Sequence, residues 1–287
     1  MLKERTARQF QKALAYSRQS RLRRLINNPY RTLSKHVLFR LAERLRLLIP
    51  VKKKLFFGEV MNLMLPDPIS VFLYNFGFFE EGLTRIVLEY LNQGDVFVDI
   101  GAHFGYYTLL GSHLVGQDGA VHAFEPTPST FSVLQKNSRQ SNIFINNTAL
   151  AEQAAIRDFY DAGLKLSAFN GFFRPDIEGF KNIKQYQVKC VTIDDYFREK
   201  NNLPDFIKMD AEGAELKILA GAKNIIQAKH PLITLETGDH GGDLTIDKIQ
   251  YLTSLGYQPL EYSRGEIKEH QLRDTYGYDN LLFVYKD

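Results

Sequence analysis

The chain has 287 residues, of which 44% are hydrophobic and 24% charged, ordinary values for a globular protein with one sizeable core. Its single cysteine, Cys190, excludes an internal disulfide and a cysteine-built zinc site. The net charge of +3 conceals an asymmetry: residues 1–54 hold 16 Lys or Arg against Glu4 and Glu43, a net +14, so the remainder carries −11.

The N-terminus is basic but lacks the apolar stretch of a secretory signal, and no run of about 18 apolar residues follows; a reduced, cytoplasmic protein is expected. Residues 1 to about 50 read as helical. Within KHVLFRLAERLRLLIP, Leu38, Leu41, Leu45 and Leu48 recur at spacings of three and four, and Pro50 stops the pattern. Pro66-Asp67-Pro68 marks a turn in the mixed stretch that follows. LTRIVLEYL has helical spacing and ends at Asn92-Gln93-Gly94.

From residue 95 the pattern changes. DVFVDI, GAVHAF, FINNTAL, DFIKMD and PLITLE read as strands, with the helical patterns TLLGSHLV, PSTFSVLQKNSR, GAELKILAGAKNII and IDKIQYLTSL interleaved. Such alternation predicts a doubly wound α/β domain around a mostly parallel sheet. Residues 151–192 break the rhythm. AAIRDFY and YQVKCVTI look like strands around an aromatic linker, LSAFNGFFRPDIEGF, so extra strands or a lid are expected there. YGYDNLLFVYKD reads as a closing strand that returns antiparallel to the sheet edge. The expected organisation is a basic helical extension (1–54), a helical lead-in (55–93) and one ligand-binding domain (94–287).

VFVDIGAHFGYYTLL is the strongest chemical signal. A strand runs into Asp99, then Gly101, and Gly105 follows as a helix opens. Glycine at Gly101 permits a sharp turn and a close backbone approach to a ligand. The helix start offers free N–H groups and positive potential to an anionic group. The pattern D-x-G-x-x-x-G lacks a glycine of the dinucleotide fingerprint, which disfavours a nicotinamide-dependent oxidoreductase. Glu125 ends the next strand, 24 residues beyond Gly101, where an acid can accept hydrogen bonds from a ribose hydroxyl pair. In DFIKMDAEGAELKIL, Asp210 and Glu212 lie at another strand end, the ligand side of an open α/β sheet. Glu215 reads as a favourable charge at a helix start. No metal ligands are assigned, although Asp210, Glu212 and Glu236 are the oxygen donors a hard cation would use.

Taken in order, GFFE (77–80), GDVFVDIGAHFGYYT (94–108), AFEPTPSTFSVLQKN (123–137), NNTAL (146–150), VTIDDYF (191–197) and KMDAEGAELKILAGA (208–222) resemble the FkbM family of S-adenosylmethionine-dependent methyltransferases. The resemblance spans about residues 75 to 285. It implies the Rossmann-like class I methyltransferase fold, a seven-stranded sheet with an antiparallel last strand. It also implies S-adenosyl-L-methionine as cofactor, and O-methylation of a hydroxyl on a sugar, polysaccharide, glycolipid or secondary metabolite. Asp99, Gly101, Ala102, His103, Gly105 and Glu125 would line the cofactor, with Tyr106 and Pro126 in the same motifs and Glu80 from GFFE. Asn147, Thr148 and Ala149 would lie near the adenine. His103-Phe104 departs from the family, which commonly has Asn followed by Ile or Val.

A sugar hydroxyl is a poor acid, so methyl transfer asks for a general base within hydrogen-bond reach. Asp210, Glu212, Glu236 and His240 are the candidates, and Asp210 also belongs beside the cofactor. Phe169, Phe172 and Phe173 offer a substrate lid or satellite core. The basic head reads as a helical pair packed on the domain, or as an amphipathic segment (35–49) with Lys52-Lys53-Lys54 at an anionic membrane or other polyanion. An acidic body and sparse aromatic interleaving disfavour nucleic acid. An RNA or protein methyltransferase, or a non-catalytic cofactor-binding protein, are the competing readings.

Overall fold

The computed structural model describes residues 2–27, 39–42, 44–45, 47–167, 170–174, 183–238 and 244–286. The chain begins with helix α1 (Leu2–Ser17), whose Thr6, Phe10 and Leu14 recur every four residues and are buried. Phe10 sets its ring 5.0 Å from Phe56 and 5.3 Å from Phe78, so α1 is part of the core. Burying Phe10 and Leu14 stabilises this docking by about 2 kcal/mol each. Helix α2 (Arg21–Asn27) follows and buries none of its residues.

The helical pattern expected up to Pro50 ends earlier. Ile49–Lys54 forms strand β1, paired antiparallel with β2 (Val60–Leu65). In β2, Met61, Leu63 and Leu65 alternate into the core, a period of two that overrides the helix expected here. Pro50 is tolerated because it sits in a two-stranded sheet with an exposed edge. Asp67 caps α3 (Pro68–Phe76), accepting from the Ser70 N–H at 2.7 Å, and α4 (Glu81–Tyr90) leads into the main sheet.

The main domain then runs β3 (Val96–Ile100), α5 (Tyr106–Val115), β4 (Ala120–Phe124), α6 (Pro128–Asn137) and β5 (Ile143–Asn146). Next come β6 (Ala149–Leu150), β7 (Ala155–Asp161) and β8 (Lys184–Val191), a separate three-stranded sheet ordered β6-β8-β7. The rest is α7 (Ile193–Phe197), β9 (Phe206–Met209), α8 (Glu215–Ala220), α9 (Lys223–Lys229), β10 (Leu232–Thr237), α10 (Thr245–Ser254), β11 (Tyr257–Ser263), β12 (Glu266–Glu269) and β13 (Asp279–Tyr285).

The main sheet is ordered β12-β11-β13-β10-β9-β3-β4-β5. Strands β5, β4, β3, β9 and β10 are mutually parallel, and β13 is antiparallel to both β10 and β11. Seven of these strands make the class I methyltransferase order, and β12 adds a short hairpin at the edge. The closing strand therefore does not lie at the edge, as the sequence suggested, but between β10 and β11. Helices cover both faces. Phe97 and Phe206 turn toward α1, α4 and α5, while Val96, Val98, Ile100, Ile207 and Met209 turn toward α7–α10. That alternation decides where the polar residues of these strands go.

Candidate active site

The C-terminal ends of β3, β4, β9 and β10 open into a cleft of about 270 Å³. At Gly101 φ is +69°, and a Cβ there would lie 1.8 Å from the Asp210 carbonyl oxygen. Glycine is required because the ends of β3 and β9 close on each other, with Asp210 N donating to Ile100 O at 3.2 Å. Gly105 caps α5 at φ +95°, and a Cβ there would meet Leu134. Gly101 lines the cleft; Gly105 and Ala102 shape the turn behind it.

Glu125 follows β4 and is buried to 6% exposure. Its Oε2 accepts from His103 N at 3.0 Å and its Oε1 from Thr127 N at 2.9 Å. Burial pushes its carboxyl up to about 7, against these hydrogen bonds. An ionised carboxylate has about four acceptor sites, so the two backbone bonds and the Thr127 side chain still leave one for a ligand. Asn147 donates to the carbonyls of Glu125 and Pro126 at 2.8 and 3.0 Å, fixing this turn from outside the cleft. Pro126, Thr148 and Ala149 line the wall, with the apolar side chains of Phe124, Leu150, Phe159, Phe172 and Ile218. Phe159 and Phe172 meet edge to face at 5.2 Å.

Carboxyls gather on the β9 and β10 side. One oxygen each from Asp210, Glu212 and Glu236 lies within 4.8 Å of the others. Glu80 lines the same cleft and accepts from Tyr107 Oη at 3.1 Å. Burial first, then the Asp210 charge, pushes Glu80 up to about 7. Glu212 and Glu236 are also raised, by burial and then by neighbouring carboxylates. Among the described residues, five non-glycine residues hold positive φ, and three of them, Glu80, His103 and Glu212, line this cleft. Such backbone costs about 1 kcal/mol or more each and persists where the surroundings impose it.

Several expected residues stand elsewhere. Asp99 does not line the cleft. It shares the sheet face of Phe97, is fully buried, accepts from Thr108 Oγ1 at 2.6 Å and pairs with Lys208 Nζ at 3.2 Å across the β3–β9 register. Lys208 also donates to the carbonyls of Ile100 and Gly101 at 3.1 and 3.0 Å. Burial pulls its pKa down, and the Asp99 and Asp210 charges more than reverse this. Tyr106 packs in the core with its hydroxyl 3.0 Å from Thr84 Oγ1; its neighbour Tyr107 is the tyrosine that reaches Glu80. His240 and Phe169 lie outside the described residues. Phe172 lines the cleft, whereas Phe173 is exposed. Ser167, Asn170, Phe159 and Tyr278 also line it and carry no local sequence signal, because β7, its following loop and the β13 approach reach the cleft only through long-range packing.

Residues 99–259, more than half of the chain, match the family described as Methyltransferase FkbM domain. A curated relative, "Hexuronic acid methyltransferase AglP" of Haloferax volcanii, is 27% identical over 171 residues, 58% of this chain and 66% of the relative. A solved methyltransferase FkbM from Methylobacillus flagellatus KT is 22% identical with a TM-score of 0.44, covering 67% of this chain and 43% of its own. Aeropyrum pernix fibrillarin, solved with natively bound S-adenosyl-L-methionine, is 11% identical with a TM-score of 0.40, covering 68% of each chain. The chain thus spans just under two thirds of that curated relative's length. On the family match, this chain belongs to the FkbM family of S-adenosylmethionine-dependent methyltransferases.

Proposed function

We propose that this chain transfers a methyl group from S-adenosylmethionine to a neutral sugar hydroxyl. The observation that carries the reading is the division of one cleft into a Glu125 end and a carboxyl-cluster end. Three strand spacings separate β4 from β10, about 14 Å at ordinary interstrand distances. The residues fit the cofactor: Glu125 keeps an acceptor site for a ribose, the Phe124–Phe159–Phe172 wall suits an adenine, and the carboxyls suit the positive charge of a sulfonium. When bound, the cofactor supplies an electrophilic methyl on a sulfonium.

The chain's own residues then orient the acceptor and accept its proton. Three carboxyls this close cannot all ionise, so the cluster of Asp210, Glu212 and Glu236 retains a proton while an ionised member takes the one the hydroxyl releases. We assign Glu212 as that base, since its strained turn faces it into the cleft. The relative's name gives a hexuronic acid as its acceptor. Here Glu80, Asp210, Glu212 and Glu236 outnumber the two nearby cations, Lys208 and Lys248, and Lys248 is already paired with Glu215 at 2.9 Å, which disfavours an acceptor carboxylate and favours an uncharged hydroxyl. Labelled-methyl transfer from S-adenosylmethionine to neutral glycosides and to hexuronates tests this. Transfer to the neutral acceptors supports the reading. Binding of cofactor without transfer to any hydroxylated acceptor contradicts it.

The acceptor's carrier bears on the basic head. Leu22, Leu25 and Ile26 of α2 are exposed beside Arg21 and Arg23, and Leu41, Leu45 and Leu48 are exposed beside Arg40 and Arg44. We propose that these residues, with exposed Lys52 and Lys54, rest on an anionic membrane surface. No helix of the described residues is long and apolar enough to cross a membrane. Sedimentation with anionic but not zwitterionic vesicles is the expected result, and equal sedimentation with both contradicts it.

A further inference from the structure

Asp67, Ser167 and His103 form a hydrogen-bonded chain into the cleft wall. Asp67 is fully buried and Ser167 is 5% exposed. Asp67 Oδ2 accepts from Ser70 N at 2.7 Å, and Oδ1 accepts from Ser167 Oγ at 3.1 Å. The same Oγ stands 2.7 Å from His103 Nε2. The hydroxyl is central, so this is not a nucleophile arrangement, in which histidine must stand between hydroxyl and acid.

Proton counting fixes the rest. An ionised Asp67 only accepts, and a serine hydroxyl carries one proton. Once Ser167 gives that proton to Asp67, its oxygen can only accept from His103, so Nε2 bears the hydrogen. A neutral imidazole then has a bare Nδ1. Burial, then the Lys208 charge, pushes His103 down to about 3, which keeps the ring neutral. The ring is held further by Phe104, 3.9 Å away, and by His103 N donating to Glu125 Oε2.

Resting on the cofactor reading above, we propose that Asp67 and Ser167 are positioning residues that lock His103 as its Nε2–H tautomer, making Nδ1 an acceptor for the ammonium of the cofactor's amino-acid end. This reverses the role that a histidine beside a carboxylate would have, as a donor. It also explains why a histidine is compatible with a cationic cofactor: a protonated ring would repel it.

The test is nitrogen-15 NMR of histidine-labelled, full-length protein at pH 8, with His103 identified by its absence in His103→Asn. Wild type is expected to show a neutral ring protonated at Nε2. In Asp67→Asn the amide oxygen keeps the Ser70 cap and the amide nitrogen donates to Ser167, whose proton turns to His103; the tautomer should flip to Nδ1–H. Ser167→Ala should show both tautomers. By calorimetry, Asp67→Asn should bind S-adenosylhomocysteine about tenfold more weakly than wild type. A cationic or Nδ1–H ring in wild type overturns the proposal, as does a flipped tautomer with unchanged affinity. Absence of binding to wild type overturns the cofactor reading instead, and the tautomer result stands apart from it.

Discussion

Glu125, at the β4 end of the cleft, and Glu236, at the β10 end, are both carboxyls withdrawn from water, but their surroundings differ. Glu125 accepts two backbone N–H bonds and has no carboxyl near it in the cluster. Glu236 faces Asp210 and Glu212, and repulsion adds to its burial. Backbone donors favour the charged form and hold it in a fixed direction, which suits hydrogen bonding to a ligand. Neighbouring carboxyls favour the neutral form and make the group ready to exchange protons. One residue type thus serves two purposes in one cleft, separated by what surrounds it.

The largest expected effect is on turnover. Glu212→Gln should lower the methyl-transfer rate by about 10³-fold while S-adenosylhomocysteine affinity stays within a few-fold, read by labelled-methyl assay and calorimetry. Equal loss of both would move Glu212 from the proton-exchanging end to the binding end. Next comes the strut between the ends. Lys208→Met leaves Asp99 buried without its cation and should cost about 3 kcal/mol of stability in urea unfolding. An unchanged midpoint would show that the pair is not what joins β3 to β9.

The smallest effect depends on pH. A carboxyl whose folded pKa lies above its unfolded value stabilises the fold fully at low pH, and that contribution is lost as pH rises from about 4.3 through the folded value. Glu236 is raised in this way. Glu236→Gln should therefore raise stability at pH 8 by about 2 kcal/mol and leave it nearly unchanged at pH 4. The same shift at both pH values would remove the carboxyl repulsion from the account.

Much of this cleft was legible in the sequence because glycine and strand-end acids are local signals. Gly101 must be glycine for the β3–β9 closure, and Glu125, Asp210, Glu212 and Glu236 end strands that face the ligand side. Asp99 stands apart from the cleft lining for a reason of period. One residue short of the strand end, it follows Phe97 onto the opposite face, and Lys208, two residues after Phe206, was the available sign of a buried partner. The β1–β2 hairpin was hidden by its lysines, and β11 by Pro259 within it. Asp67 and Ser167 are 100 residues apart, so no local pattern joins them.

Titration of wild type, Glu125→Ala and Glu212→Gln with S-adenosylhomocysteine tests the division of the cleft most directly. A Kd on the order of 10 μM is expected for wild type and for Glu212→Gln, and a loss of about 2 kcal/mol or more in Glu125→Ala. No binding to wild type, or binding that survives Glu125→Ala and fails in Glu212→Gln, would contradict that division.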